Sequence, residues 1–244
     1  MIRLLAFREL RSLFTMPSTW FILAALQFIF AWFFLNSLQG FLDIQPQLAQ
    51  LANAPGVTTI IGVPLFNMVA LLLMMLTPMF TMRLIAEERR NQTLSLLLSS
   101  PLSIRQIVLG KFFGLMIFLV VMVCSIPLMI VSLSVGTHLD HGLLLSNVLG
   151  LLLLIASYVA VGLYISALTA QPIIAAIGAL AVLVGLWLAD LAATAENSPW
   201  HLISPWHHFQ SFSTGLLDSG DAIFFLLFTS AFLLLTMKRL GNHA

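Results

Sequence analysis

Charge is what this chain has least of. Asp, Glu, Lys and Arg make up 8% of its 244 residues, against about 25% in soluble domains. A water-soluble fold cannot present so uncharged a surface, so the bilayer has to be the solvent. Cysteine is nearly missing as well. Cys124 stands alone, which excludes a disulfide framework. No Gly-x-x-x-x-Gly-Lys-Ser/Thr segment occurs, so the chain cannot hold and split ATP through a P-loop. No Ser/His/Asp set converges by spacing, which disfavours a polytopic membrane enzyme. The long apolar runs hold no acid or base except Asp190, at the end of one of them. Ion-coupled transport and ion conduction usually need such groups in the membrane. Both are disfavoured, and energy for any transport has to come from another chain.

What is abundant is apolar: 60% of residues are hydrophobic, with a mean hydropathy of +1.06. A spanning helix needs about 20 mainly apolar residues. Six runs qualify: Thr19–Leu38, Val63–Met82, Phe112–Ser134, Leu143–Leu168, Ile173–Leu191 and Ala222–Met237. The fold class expected is therefore an all-α membrane protein with six transmembrane helices, a single transmembrane domain over residues 1–244. The first run is too long for a signal-peptide core and lacks a small-residue cleavage site, so it reads as a retained helix.

Six spans put both termini on one side, and the basic residues choose the side. Arg3, Arg8, Arg11, Arg83, Arg89, Arg90, Arg105, Lys111, Lys238 and Arg239 all fall together. The opposite side carries Asp43, Asp140, Asp190, Glu196, Asp218 and Asp221 and no Lys or Arg. The positive-inside rule then predicts both ends inside. The basic residues face the membrane surface, so no nucleic-acid partner is expected at a net charge of +1.

Between the runs, the punctuation is informative. Residues 1–16 predict an interfacial helix, with Ile2, Ala6, Leu10 and Leu13 on one face and Arg8, Glu9 and Arg11 on the other. Residues 39–62 read as an outer loop. The inner segment 83–111 predicts a short helix beginning near Glu87, with Leu94, Leu97 and Leu98 on one apolar face and a stop at Pro101. Ser103 to Gln106 is a capping box that starts the next helix. Gly110 and Gly114 form a Gly-x-x-x-Gly pair, a weak mark of close helix packing. Residues 192–221 are unusually rich in Trp, Phe and Ile for an outer loop, and predict short helices that re-enter the outer leaflet. His138 and His141 with Asp140, and His201 with His207 and His208, have residue types that bind metal. Histidines near a membrane face are more often polar interface residues, so no metal ligand is assigned.

The stretch from Glu87 to Ser103 resembles the first inner loop of ABC-2-type transporter permeases. That loop commonly runs Glu-Glu-Arg/Lys, then Gly-Thr-Leu-Glu, Leu-Leu, Pro and Ser/Thr. Gln92 stands in place of the Gly, and Ser95 in place of the Glu. The stretch from Leu202 to Asp221 is similar to that of gliding-motility-type permeases, a group that also includes permeases of copper-enzyme maturation clusters. The resemblance implies an exporter-like architecture: interfacial helix, six spans, an inner coupling helix and outer re-entrant helices. It implies half of a pore that pairs with a second copy or a homologous permease. Separate ABC ATPase subunits would hold ATP and Mg and contact Glu87, Glu88, Arg89, Leu94, Leu97 and Leu98. An outer auxiliary protein is a further possible partner. The chain itself would be no enzyme and bind no cofactor. Scattered Asn36, Asn67, Ser125, Asn147, Ser157, Tyr158 and Ser166 among Phe, Leu and Met suit export of a hydrophobic or amphipathic substrate. The alternative is a membrane scaffold for a cell-envelope or metal-centre assembly machine, without transport.

Overall fold

The computed structural model describes residues 2–48, 55–93, 102–135, 139–193 and 200–241. Apart from a short 3-10 turn at Leu133–Val135, the described residues form eight helices and no strand. They are α1 (Ile2–Thr15), α2 (Pro17–Leu48), α3 (Thr58–Arg90), α4 (Ile104–Ser132), α5 (His141–Leu168), α6 (Pro172–Ala192), α7 (Pro205–Ser213) and α8 (Ser219–Gly241). Six of them, α2 to α6 and α8, are long and apolar enough to cross a membrane.

Three boundaries differ from the sequence reading. α3 begins at Thr58 rather than Val63, so the expected outer loop 39–62 is helical at both ends. α2 does not end near Leu38 but continues to Leu48, past Pro46. Proline there removes only one bond in the last turn, which a helix end tolerates far better than its interior. α3 does not end at Met82 but continues through a π-helical stretch, Arg83–Glu87, into Glu88–Arg90. Hydropathy falls at Arg83, yet the helical hydrogen bonding does not stop there. Glu87 therefore belongs to the continuation of a spanning helix and opens no separate one. Residues 94–101, with Leu94, Leu97, Leu98 and Pro101, lie outside the described residues.

α5 is the centre of the bundle. In its most apolar window 61% of residues are buried, against 17% for α2 and for α6. It packs against α3, α6, α7 and α8. α2 and α6 show their apolar side chains outward, among them Phe21, Phe28, Ile173 and Ile177. This is what a bilayer or a second helical chain requires of a face.

Polar side chains repair the helix irregularities. Pro127 cannot donate to the carbonyl of Val123, and α4 is interrupted at Cys124. Gln27 on α2 fills the break: its Nε2 donates to the Met122 carbonyl at 2.7 Å, and its Oε1 accepts from Ser125 Oγ at 2.7 Å. At the π stretch of α3, the buried Ser166 hydroxyl of α5 accepts from the backbone N–H groups of Ala86 at 3.0 Å and Ile85 at 3.3 Å. It also lies 3.3 Å from the Met82 carbonyl. π stretches are rare and often sit at functional sites.

Candidate functional site

The basic residues of α1, of the end of α3 and of the start of α4 come together where α1 packs alongside α4, with Leu5 at Gly110, Glu9 at Gly114 and Phe14 at Phe118. The stripe Leu5–Glu9–Leu13 repeats every four residues and faces α4. Two glycines allow the approach. A Cβ at Gly110 would lie 2.6 Å from Leu5, and one at Gly114 would lie 2.8 Å from Glu9 Cβ and 3.0 Å from the Ala6 carbonyl oxygen. The Gly-x-x-x-Gly pair is therefore a contact surface, and its partner is α1. Ala6 and Leu13 of the expected apolar face are buried and Ile2 and Leu10 half-buried, but Glu9, expected on the polar face, turns inward beside them.

Glu9 turns inward because Lys111 is there. The Lys111 side chain is only 2% exposed. Its Nζ lies 2.8 Å from Glu9 Oε1 and 2.7 Å from Glu88 Oε1. One ammonium thus holds α1, the end of α3 and the start of α4 at a single point. The buried Oε2 of Glu88 has no hydrogen-bond partner. Two carboxylates on one ammonium leave the cluster with one net negative charge. A cavity of about 260 Å³ opens beside it, and Arg8 and Arg83 line that cavity together with Glu87.

The end of α3 is a built stop. Thr93 N donates to the Glu88 carbonyl at 3.0 Å, and Gln92 N to the Arg89 carbonyl at 3.2 Å. This is the Schellman arrangement, whose penultimate position takes a left-handed backbone and prefers glycine. Gln92 occupies it with φ +56°. The chain then resumes at Ser103, where the capping box is present in full: Gln106 N donates to Ser103 Oγ, and Ser103 N to Gln106 Oε1.

The three described residues of the expected ATPase contact therefore do not act alike. Glu88 is turned inward onto Lys111. Glu87 faces the cavity beside it. Arg89 points away, with Arg90, to an opening against the α5–α6 turn at Gln171 and Pro172. Glu9, Lys111 and Ser166 were missed as partners by the sequence reading. Only contacts between residues far apart in the chain give them their roles.

Comparison with protein families matches residues 4–238 to the model described as ABC-2 family transporter protein. The chain belongs to this family. ABC-2 chains are multi-pass membrane transport components, permease parts of ATP-binding-cassette transporters that typically work with ABC ATPase partners. Comparison with curated proteins gives no match.

The opposite, acidic end of this ABC-2 chain is closed by α7. Its Phe209 and Phe212 are buried, and Ser146 on α5 donates to the Phe212 carbonyl at 2.8 Å. Of the expected histidine groups, His138 lies outside the described residues. Asp140 is not drawn to His141: its carboxylate accepts from Leu143 N and caps α5. His208 Nδ1 lies 2.6 Å from Asp221. His201 and His207 converge on Asp190.

Four of the scattered polar residues are closed off within one copy. Asn147, Ser157, Tyr158 and Ser166 are buried inside the bundle. Asn147 and Ser157 donate to their own helix, at Leu143 and Leu153. Ser157 is satisfied in this way, whereas the Oδ1 of Asn147 is buried without a hydrogen-bond partner among the described residues.

Proposed function

We propose that this ABC-2 chain is the membrane half of an exporter for a hydrophobic or amphipathic molecule, driven by ATP hydrolysed in separate ABC ATPase subunits. Those subunits hold the ATP and Mg. They meet the segment from Glu87 to Leu98: Glu87, Arg89, Leu94, Leu97 and Leu98 make the contact, and Glu88 ties it to the membrane helices. The observation that carries this reading is the Glu88–Lys111–Glu9 cluster around the buried Lys111 ammonium. It supports a rigid link from the contact segment to α4 and to the interfacial helix, so that force applied at one is felt at all three.

The chain works as a pair, with a second copy or a homologous permease, in the bacterial inner membrane with both termini inside. The burial of Asn147, Ser157 and Ser166 within one copy favours a route between copies, bordered by apolar faces such as those of α2 and α6. Kinship with the gliding-motility-type permeases rests on residues 202–221.

The test is purification of the native complex under mild conditions. An ABC ATPase retained with the wild-type chain and lost with Leu97→Asp is the expected result. A native complex with no nucleotide-binding subunit refutes the transporter reading and leaves a scaffold.

A further inference from the structure

We propose that Asp190, His201 and His207 bind one divalent transition-metal ion of the zinc type, and that this ion fastens the acidic end of α6 to the start of α7. The proposal does not depend on the ATPase partner or on the substrate.

Asp190 lies near the end of an otherwise apolar spanning helix, where a carboxylate is expensive and calls for a partner. Two imidazoles supply it. His201 Nδ1 lies 2.7 Å from Asp190 Oδ1, and His207 Nδ1 lies 3.4 Å from the same oxygen. One ligand atom from each of the three residues falls within 4.8 Å of the others. Zinc binds imidazole nitrogen at about 2.0–2.1 Å and carboxylate oxygen at about 2.0–2.2 Å, which puts neighbouring ligand atoms about 3.4 Å apart in a tetrahedral site. The His207 spacing already meets that value. The His201 spacing is that of a direct hydrogen bond, and its ring stacks on that of His207 at 4.3 Å, so both imidazoles turn to aim a nitrogen at one ion.

The donor set selects the ion. Calcium and magnesium take oxygen ligands almost exclusively, whereas two imidazoles and one carboxylate suit zinc and its neighbours. The site is also held in place. Ser204 caps α7 and accepts from His207 N, which fixes the backbone that carries the ligand. Trp187 on α6 meets Trp206 on α7 edge-on at 6.3 Å, so the two elements already touch beside the cluster. Asp190 and His201 are mostly shielded, at 12% and 17% exposure, while His207 is 46% exposed. An ion would reach the site from the His207 side, and a water would complete its shell there. His208 is outside the set: its Nδ1 is engaged by Asp221, and its ring stacks on Phe224 at 3.8 Å.

The experiment is a Co²⁺ titration of the full chain, purified through a histidine-free tag, stripped with chelator and then displaced with Zn²⁺. The result expected is one equivalent per chain, a visible cobalt absorption band and loss of that band on adding zinc. Asp190→Asn, His201→Ala and His207→Ala should each weaken binding at least about tenfold, the lower end of the loss seen when even an outer-shell partner is removed. His141→Ala and His208→Ala should bind like the wild type. His207 is the decisive variant because its exposure lets the chain fold without it, and an unchanged melting temperature checks this. No saturable binding, which would leave a hydrogen-bonded cluster only, overturns the proposal. So does a folded His207→Ala chain that binds cobalt as tightly as the wild type.

Discussion

Replacing Lys111 with Met should destabilise the basic end far more than neutralising either of its partners. In the wild type, Glu9 Oε1 and Glu88 Oε1 lie 2.8 and 2.7 Å from one ammonium, hence at most about 5.5 Å from each other. Lys111→Met keeps the volume and removes the cation that, among the described residues, contacts both. Two carboxylates at that spacing repel by about 3 kcal/mol at an effective dielectric of 20, close to the cost of about 3–5 kcal/mol for stripping one partner from a buried pair. Glu9 and Glu88 are 19% and 25% exposed, so water screens part of this, and about 2–3 kcal/mol is expected. Glu9→Gln leaves a one-to-one pair of Lys111 with Glu88 and should cost less than half as much. The triple variant Glu9→Gln, Glu88→Gln, Lys111→Met removes every charge and should regain most of the loss. The assay is thermal unfolding of the purified chain in one detergent, with hydrogen exchange of α1 as a local readout. Equal melting temperatures for Lys111→Met and wild type would refute the cluster. So would a triple variant no more stable than Lys111→Met.

Three further outcomes follow from the same end of the molecule. Gln92→Gly relieves a left-handed backbone that costs an ordinary residue about 1–2 kcal/mol; slower hydrogen exchange at Thr93 is expected, whereas Gln92→Val should speed it. Gly114→Leu drives a side chain into Glu9 and Ala6, at about 1–3 kcal/mol for overpacking; a lower melting temperature and faster hydrogen exchange along α1 are the check. Ser166→Ala takes the hydroxyl from the Ile85 and Ala86 N–H groups, at about 1–3 kcal/mol; a lower melting temperature and faster exchange confined to Arg83–Glu87 are the check.

The spans were legible in the sequence because bilayer thickness fixes their length and charge marks their ends. The capping box at Ser103 was legible because both of its bonds are made within four residues. The course of α3 through Arg83–Arg90 was not. Charged residues lower hydropathy without breaking a helix, and the hydroxyl that serves this π stretch comes from Ser166, about 80 residues away. Lys111 read as one more topology-setting cation because its partners lie 102 and 23 residues away. Gln92 was visible as a departure from the family's glycine, but its meaning needed the backbone angle. Asp190 stood out as a charge in an apolar run, and His201 and His207 stood out by type. Only the folding of α7 against α6 joins them.

The central claim is that ATP hydrolysis in a partner is coupled through this chain to an amphipathic substrate. The most direct measurement is ATP hydrolysis by the complex of this chain with its co-purified ATPase in proteoliposomes, with and without an amphiphile, for wild type and for Leu97→Asp. A buried, unpaired carboxylate at the contact costs several kcal/mol. Stimulation by the amphiphile in the wild type and its loss in Leu97→Asp, with the variant chain still inserted, is the predicted result. Stimulation that is unchanged in Leu97→Asp, or hydrolysis that answers only to a metal ion or a small polar solute, would contradict it.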